Sequence, residues 1–319
     1  MTMLDPHSRR RFLALGASFG LQTAAAGAQT AALTPVHVAS APDEDIMGTV
    51  WAIQNGIFQR YGLDVDLRPS TSGAAVAAAV VGGSIDIGKS SLFSLIGAHV
   101  RGIPIVLVAA AGIYRSDIPS VALLVKTGSP IRTGKDMNGK AVSVQALDDQ
   151  FAVSVKAWTD THGGDSSTLR FVEIPSAAAA AAIAEGRVDA AAFTNPNLSQ
   201  ALATGKVEAI AHPFDGIGNL FIQAAYFCTQ SYLAANRSTV DRFVRAINES
   251  SAYIDGHPAQ TAAAMAAFTK IPIDVINHMA RTKLSAKLSA ATLQPVIDAA
   301  YKYKAIPKNF DAKEMLASV

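Results

Sequence analysis

Two stretches of the chain repeat one arrangement of apolar and polar positions. Val76–Ser90 reads VAAAVVGGSIDIGKS, and Ala181–Thr194 reads AAIAEGRVDAAAFT. Each is an alanine-rich helical run that ends at glycine, the residue suited to close a helix. Each then continues as x-[Ile/Val]-Asp and a short apolar strand. The likeness extends upstream, where LDVDLRPS (Leu63–Ser70) leads into the first helix and LRFVEIPS (Leu169–Ser176) into the second. Farther back, VHV (Val36–Val38) answers VSV (Val142–Val144). Strand, helix, strand, helix, strand therefore occurs twice at a spacing of about a hundred residues, too long for a solenoid repeat and suited to two similar α/β lobes. Two lobes imply a cleft.

The remaining pattern fills in around this repeat. Val36–Ala39 predicts a first strand, Met47–Tyr61 a helix closed by Gly62, Leu63–Leu67 a second strand and Ile85–Ile87 a third. Ser90 is placed to cap the helix that runs toward Arg101. Ile105–Ala110 is apolar throughout, as expected of a strand covered on both faces of a parallel sheet. Val121–Lys126 predicts a further strand, and Thr127–Pro130 (TGSP) a turn where the chain first crosses over. The second lobe is expected to contain strands at 141–145, 171–174, 190–194 and 207–211, with helices near 149–162 and 177–184. Ala224–Thr229 reads as a returning strand. Beyond it the pattern is helical, with Ser238 as a cap, Val240, Phe243, Val244 and Ile247 on one face, and later helices near 258–268, 272–282 and 289–303. This divides the chain into lobe one, 33–125 and 224–319, and an inserted lobe two, 126–223.

The first 28 residues read as an export signal: Arg9, Arg10 and Arg11 precede Phe12-Leu13, an uncharged run follows, and Ala26-Gly27-Ala28 forms a cleavage signature. The paired arginines resemble the twin-arginine motif. The apolar run is shorter than the roughly 20 residues that span a bilayer. Its removal takes three arginines and Asp5 from 27 basic and 25 acidic residues and leaves a neutral chain. Neutrality argues against nucleic acid or an anionic membrane as the main partner. Half the residues are hydrophobic, which argues against disorder. Cys228 is the one cysteine and is assigned to core packing, since it permits no intrachain disulfide or metal cluster.

Two motif matches are set aside. GSIDIGKS (Gly83–Ser90) fits G-x-x-x-x-G-K-[ST], but its interior alternates as a strand does, whereas a phosphate cradle is a loop between strand and helix. GASFG (Gly16–Gly20) matches a hydrolase nucleophile elbow but lies in the signal. His37, His99, His162, His212, His257 and His278 are scattered without metal-ligand spacing. No catalytic, metal or cofactor-binding residue is assigned.

Ala52–Leu67 (AIQNGIFQRYGLDVDL), Gly82–Gly88 (GGSIDIG), Asp136–Val144 (DMNGKAVSV) and Glu185–Ala190 (EGRVDA) together resemble the type II periplasmic substrate-binding proteins of ABC importers. The resemblance is to the branch that binds nitrate, alkanesulfonates, taurine or thiamine-precursor pyrimidines. It implies an α/β fold of two lobes joined by two crossover strands, a ligand trapped between the lobes, a monomer in the periplasm, and delivery to a membrane permease. In open parallel sheets the carboxyl ends of the strands and the helix N-termini behind them face a crevice, and those N-termini suit an anionic or polar ligand. Reading off the strand ends gives Ser40, Ser72, Gly73, Ser90, Ser91 and Tyr114 on lobe one, with Arg115 as a possible anion partner. Gln145, Asp148, Thr194 and Asn195 are the positions on lobe two. Against an anion stand Asp43, Glu44 and Asp45, just after the first strand. The solute is expected to be small and organic, an anion among the candidates. A ligand sensor for a membrane receptor needs the same cleft and stays open. A periplasmic hydrolase or a thiamine-precursor enzyme on this fold is the weaker alternative, because the cysteine-rich run of those enzymes is absent.

Overall fold

The computed structural model describes residues 32–70, 72–147, 149–195 and 197–317. The export signal, with Arg9, Arg10, Ala28 and the GASFG match, lies outside the described residues, as does Asp148. The strands are β1 (Thr34–Ser40), β2 (Leu63–Pro69), β3 (Ile87–Ser91), β4 (Ile105–Arg115), β5 (Val121–Lys126), β6 (Ala141–Val144), β7 (Arg170–Glu173), β8 (Ala190–Thr194), β9 (Val207–Ala211) and β10 (Leu220–Thr229). The helices are α1 (Met47–Gln54), α2 (Ile57–Arg60), α3 (Gly73–Val81), α4 (Leu92–Val100), α5 (Gln150–Thr161), α6 (Ser176–Ala184), α7 (Asn197–Ala203), α8 (Gln230–Gly256), α9 (Pro258–Thr269), α10 (Ile273–His278) and α11 (Ala290–Lys302).

They build two five-stranded sheets of the same design, ordered β2-β1-β3-β10-β4 and β7-β6-β8-β5-β9. In each, three strands run parallel and the fourth in the row is antiparallel to both neighbours. The repeat in the sequence thus has a structural counterpart strand for strand. Its two aspartates explain the shared G-x-[Ile/Val]-Asp. Asp86 accepts from the main-chain N–H of His37 at 2.7 Å and returns its own N–H to the carbonyl of His37 at 2.9 Å. Asp189 does the same with Ala141, at 2.8 Å in both directions. Each aspartate therefore pins the entry of its strand to the parallel neighbour, β1 for Asp86 and β6 for Asp189. The glycines before them, Gly83 and Gly186, turn at φ +74° and +73°, where a side chain would be strained.

The sheets differ from the sequence reading in one assignment. Val121–Lys126, counted above with lobe one, is hydrogen-bonded into the second sheet, while β10 returns to the first. The chain accordingly crosses before Val121, and the Thr127–Pro130 turn sits at the far end of β5. An apolar strand pattern says that a strand is covered but not which sheet covers it. Ends also shift: β3 runs through Ser90, so the cap of α4 is Ser91, whose hydroxyl accepts from the N–H of Ser94. Helix α8 starts at Gln230 behind a Thr229 cap and kinks at Asn236, leaving Ser238 inside it.

Both sheets are covered on both faces. Helices α1, α8 and α9 enclose Phe58, Phe243, Ile247 and Met265 against one face of the first sheet. The outer face of the second sheet holds Leu124, Ile183 and Phe193 under α6 and α7. A third apolar cluster is continuous from Leu95 and Leu107 of one lobe through Tyr114, Phe214 and Phe221 to Val144 and Trp158 of the other. Tyr114, Phe214 and Phe221 stand 5.1–5.6 Å apart in tilted and edge-on pairs, a ring contact geometry that adds to burial alone. Helix α11 packs on β10, α4 and α5, and so touches both lobes rather than lobe one alone. Among the described residues no helix is long and apolar enough to cross a membrane.

Candidate ligand-binding cleft

The loops that follow β1, β2 and β3 in one sheet and β6, β7 and β8 in the other lead into helices or helical turns, as parallel strand ends do. The connection from α10 to α11 ties the two sets of ends together. The side-chain amide of Asn195, just past β8, donates to the carbonyl of Ala280 at 3.0 Å. Its neighbour Arg281 reaches Glu44, just past β1, at 2.7 Å.

On lobe one the N-termini of α3 and α4 converge. Ser72 caps α3 by accepting from Ala75 N–H at 3.2 Å, and Ser91 caps α4 and donates to the Ser94 hydroxyl at 2.9 Å. Between them lies Ser90, 3% exposed, whose hydroxyl has no hydrogen-bond partner among the described residues. Gly73 is required beside it, because a Cβ there would stand 2.1 Å from the Ser90 oxygen and 3.0 Å from that of Ser94. Ser40 is buried at the end of β1 and donates to the carbonyl of Ala41 at 2.8 Å.

The other proposed positions fall differently. Tyr114 is buried in the hinge, where its hydroxyl donates to Asp215 at 2.8 Å; burial and the Asp215 carboxylate push it far above the usual phenol range. Arg115 is turned to solvent and grips Asp117 with two hydrogen bonds of 2.9 and 2.6 Å. It lines a cavity of about 520 Å³ beside the hinge, with Ile113, Leu220, Asp255, Lys283 and Lys287. On lobe two, Gln145 gives its main-chain N–H to Asp149 at 3.1 Å. Asp149 also accepts from Ala146, Phe151 and Ala152 and so fixes the start of α5; burial nonetheless holds its carboxyl above the usual range. Thr194 is half-buried at the end of β8. The oxygen of Asn195 accepts from the N–H and hydroxyl of Ser199 at 3.2 and 2.7 Å.

The acidic turn after β1, which the sequence reading set against an anion, is extensively paired. Lys89, 2% exposed within β3, points its ammonium at Asp43 at 2.5 Å and Asp45 at 3.9 Å. Glu44 is buried against Arg281, and burial outweighs that guanidinium, holding its carboxyl above the ordinary value. Asp45 accepts from Gln223 at 3.2 Å and is pushed up to about 7, because burial with Asp43 and Glu44 nearby outweighs Lys89. Lys89 thus has a structural employment that a phosphate-cradle lysine does not. The partners Arg281 and Gln223 lie far along the chain, and nothing local in the sequence marked them.

Two similar α/β lobes, crossed twice by the chain and meeting at their strand ends, define the type II periplasmic binding-protein fold. The chain belongs to the family described as NMT1/THI5 like, whose family model matches residues 43–261. It is 25% identical over 240 residues to a putative aliphatic sulfonates-binding protein of Escherichia coli K12, covering 73% of each chain. Among solved structures it is similar to the periplasmic aliphatic sulphonate binding protein of Escherichia coli, with a TM-score of 0.75, 23% identity and coverage of 89% and 92% of the two chains. It is likewise similar to the periplasmic nitrate-binding protein of Synechocystis PCC 6803, with a TM-score of 0.71, 13% identity and coverage of 88% and 84%.

Proposed function

We propose that this protein is a solute-binding protein that captures a small organic, anion-bearing solute between its lobes and delivers it to an ABC permease. The observation that carries the reading is the convergence of the α3 and α4 N-termini on the buried hydroxyl of Ser90, which has no partner among the described residues. Helix N-termini present N–H groups and the positive end of a dipole, so an anionic oxygen placed there gains donors without bringing a counter-ion. Ser40, Ser72, Gly73, Ser90 and Ser91 would hold the ligand from lobe one, and Gln145, Asp148, Thr194 and Asn195 from lobe two. Tyr114 supports the hinge rather than the ligand, and Arg115 is committed to Asp117.

The sulfonate- and nitrate-binding relatives favour capture over catalysis. Among the described residues no group of three or more His, Cys, Asp or Glu is placed to hold a metal ion. Cys228 is buried and its thiol is pushed up to about 12, which suits packing. In this reading residues 1–28 direct export and are removed, and the remaining chain works as a monomer in the periplasm.

Thermal-shift screening of the full chain against sulfonates, carboxylates, nitrate and pyrimidines tests the proposal. A ligand at a hundred times its dissociation constant adds about 2.7 kcal/mol. Ser90→Ala should leave the melting temperature of the free protein near wild type while weakening the ligand ten- to a hundredfold, as expected for a hydrogen bond to a charged group. Unchanged affinity in that variant would remove the α3–α4 junction from the site. Wild-type growth on the identified solute after deletion of the gene would argue for sensing over transport.

A further inference from the structure

We infer that the cavity beside the hinge is a second ligand site, separate from the cleft, and that it takes an organic dianion with two carboxylates on an apolar body. The inference is independent of the solute held between the lobes.

The cavity lies at the β4 edge of the first sheet, and β10 stands between β4 and β3, the strand that carries Ser90. Its walls are tied by main-chain hydrogen bonds. The N–H of Ile113 donates to the carbonyl of Lys283 at 2.9 Å. Asp255, near the end of α8, accepts from the N–H groups of Leu284 and Ser285 at 3.0 and 2.9 Å, one on each carboxylate oxygen. The volume of about 520 Å³ falls within the roughly 300–1,000 Å³ of ordinary small-molecule sites.

Charge selects the ligand. Arg115, Lys283 and Lys287 line the cavity, and Asp255 is the one acidic residue among the lining. The Lys283 ammonium donates to the main-chain carbonyl of Asp255 at 3.2 Å, and Lys287 has no hydrogen bond or ion pair among the described residues. Asp117 holds Arg115 through Nε and Nη2, which leaves Nη1. Two ammonium groups and a guanidinium edge thus face one cavity whose own carboxylate is spent on main-chain donors. Like charges gathered in this way repel, and an anion set among them turns the repulsion into attraction. A dianion matches the two ammonium groups in charge. The apolar body follows from the wall formed by Ile113, Ala286 and Leu220, the last 49% exposed. An exposed leucine alone is ordinary, but this one continues a cation-lined cavity, where hydrocarbon laid over it adds to the charge pairing. Arg115 closes β4 where the chain leaves lobe one, and Leu220 opens β10 where it returns, so the bound dianion would rest against both crossovers.

The test is calorimetry on the full chain with hexanedioate and benzene-1,3-dicarboxylate, each against its monovalent counterpart, hexanoate or benzoate. At least one dianion is expected to bind in the millimolar range or below, about tenfold more tightly than its counterpart, and more weakly as salt is raised. Lys287→Glu reverses an exposed charge on which no contact among the described residues depends, and should weaken that dianion about tenfold. Lys283→Met should weaken it several-fold, and Ser90→Ala should leave it unchanged. Absence of binding by both dianions, with the chain folded by circular dichroism, overturns the inference, as does equal affinity for the monovalent counterparts. Both outcomes leave the cleft reading untouched. Unchanged affinity in Lys287→Glu, or weakening by Ser90→Ala, places the dianion outside this cavity and overturns the inference as well.

Discussion

The amide of Asn195 on lobe two donates to the carbonyl of Ala280, 3.0 Å away, in the connection that also carries Arg281 to Glu44 on lobe one. This makes residues 280 and 281 a strap between the strand ends of the two sheets. Asn195→Ala should loosen it, removing this bond and the two that the Asn195 oxygen accepts from Ser199, each ordinary hydrogen bond worth about 0.5–1.5 kcal/mol. The expected signature is a larger radius of gyration of the unliganded variant in small-angle scattering and a lower melting temperature. A wild-type scattering profile would show that the bond does not hold the lobes together.

Glu44 is buried and Arg281 partly so, with 8% and 14% of their side chains exposed, so removing one leaves the other charge without its partner. Arg281→Met should destabilise the protein by about 3–5 kcal/mol, whereas the double variant Arg281→Met, Glu44→Gln should recover much of the loss. Denaturant melts of the four proteins in that cycle measure the coupling. Additive losses would mean that the pair contributes no mutual stabilisation.

Asp45 gives a pH dependence with a definite sign. Its carboxyl is raised from an ordinary 3.8 to about 7, mainly by burial, so the folded protein favours its neutral form. Between those values the folded state holds a proton that the unfolded state has released, and stability falls as pH rises. The contribution is fully present below about 4 and gone above about 7. Melting temperatures from pH 4 to 8 should therefore fall in wild type relative to Asp45→Asn, with the gap levelling off above 7. Lys89, Asp43, Glu44 and Gln223 face the group and remain in the variant, so parallel curves would assign the effect elsewhere.

What the sequence made legible follows from how local each cause is. The repeat was readable because helix ends, strand periodicity and the Asp86 and Asp189 positions recur at fixed offsets within each lobe. The membership of β5 was not, because Val121–Lys126 carries the same apolar pattern in either sheet and only pairing with β8 and β9 decides it. Ser72, Ser91 and Asp149 cap their helices through neighbours two or three residues on, yet the reading set the cap of α4 at Ser90, one residue early, because β3 runs farther than its pattern suggested. Lys89 looked like part of a phosphate loop because its true partner, Asp43, is 46 residues away. The Arg281–Glu44 pair spans 237 residues, beyond the reach of any periodicity.

The last prediction concerns the junction of α3 and α4, where packing and binding make opposite demands. Gly73 leaves room for the Ser90 hydroxyl, and an added Cβ would approach it to 2.1 Å. Neither strand β3 nor helix α3 can yield freely, since β3 is paired to β1 and β10, and α3 buries Val76 and Val80. Gly73→Ala should therefore cost about 1–3 kcal/mol, the range for overpacking a tight site. Ser90→Ala removes the colliding oxygen, so the double variant should regain most of that stability. If packing were the whole role of Ser90, the double variant would bind as wild type does. If the hydroxyl donates to the ligand, the double variant will melt near wild type yet bind ten- to a hundredfold more weakly. Stability and affinity measured on the same four proteins separate the two roles, and wild-type affinity in the double variant would confine Ser90 to packing.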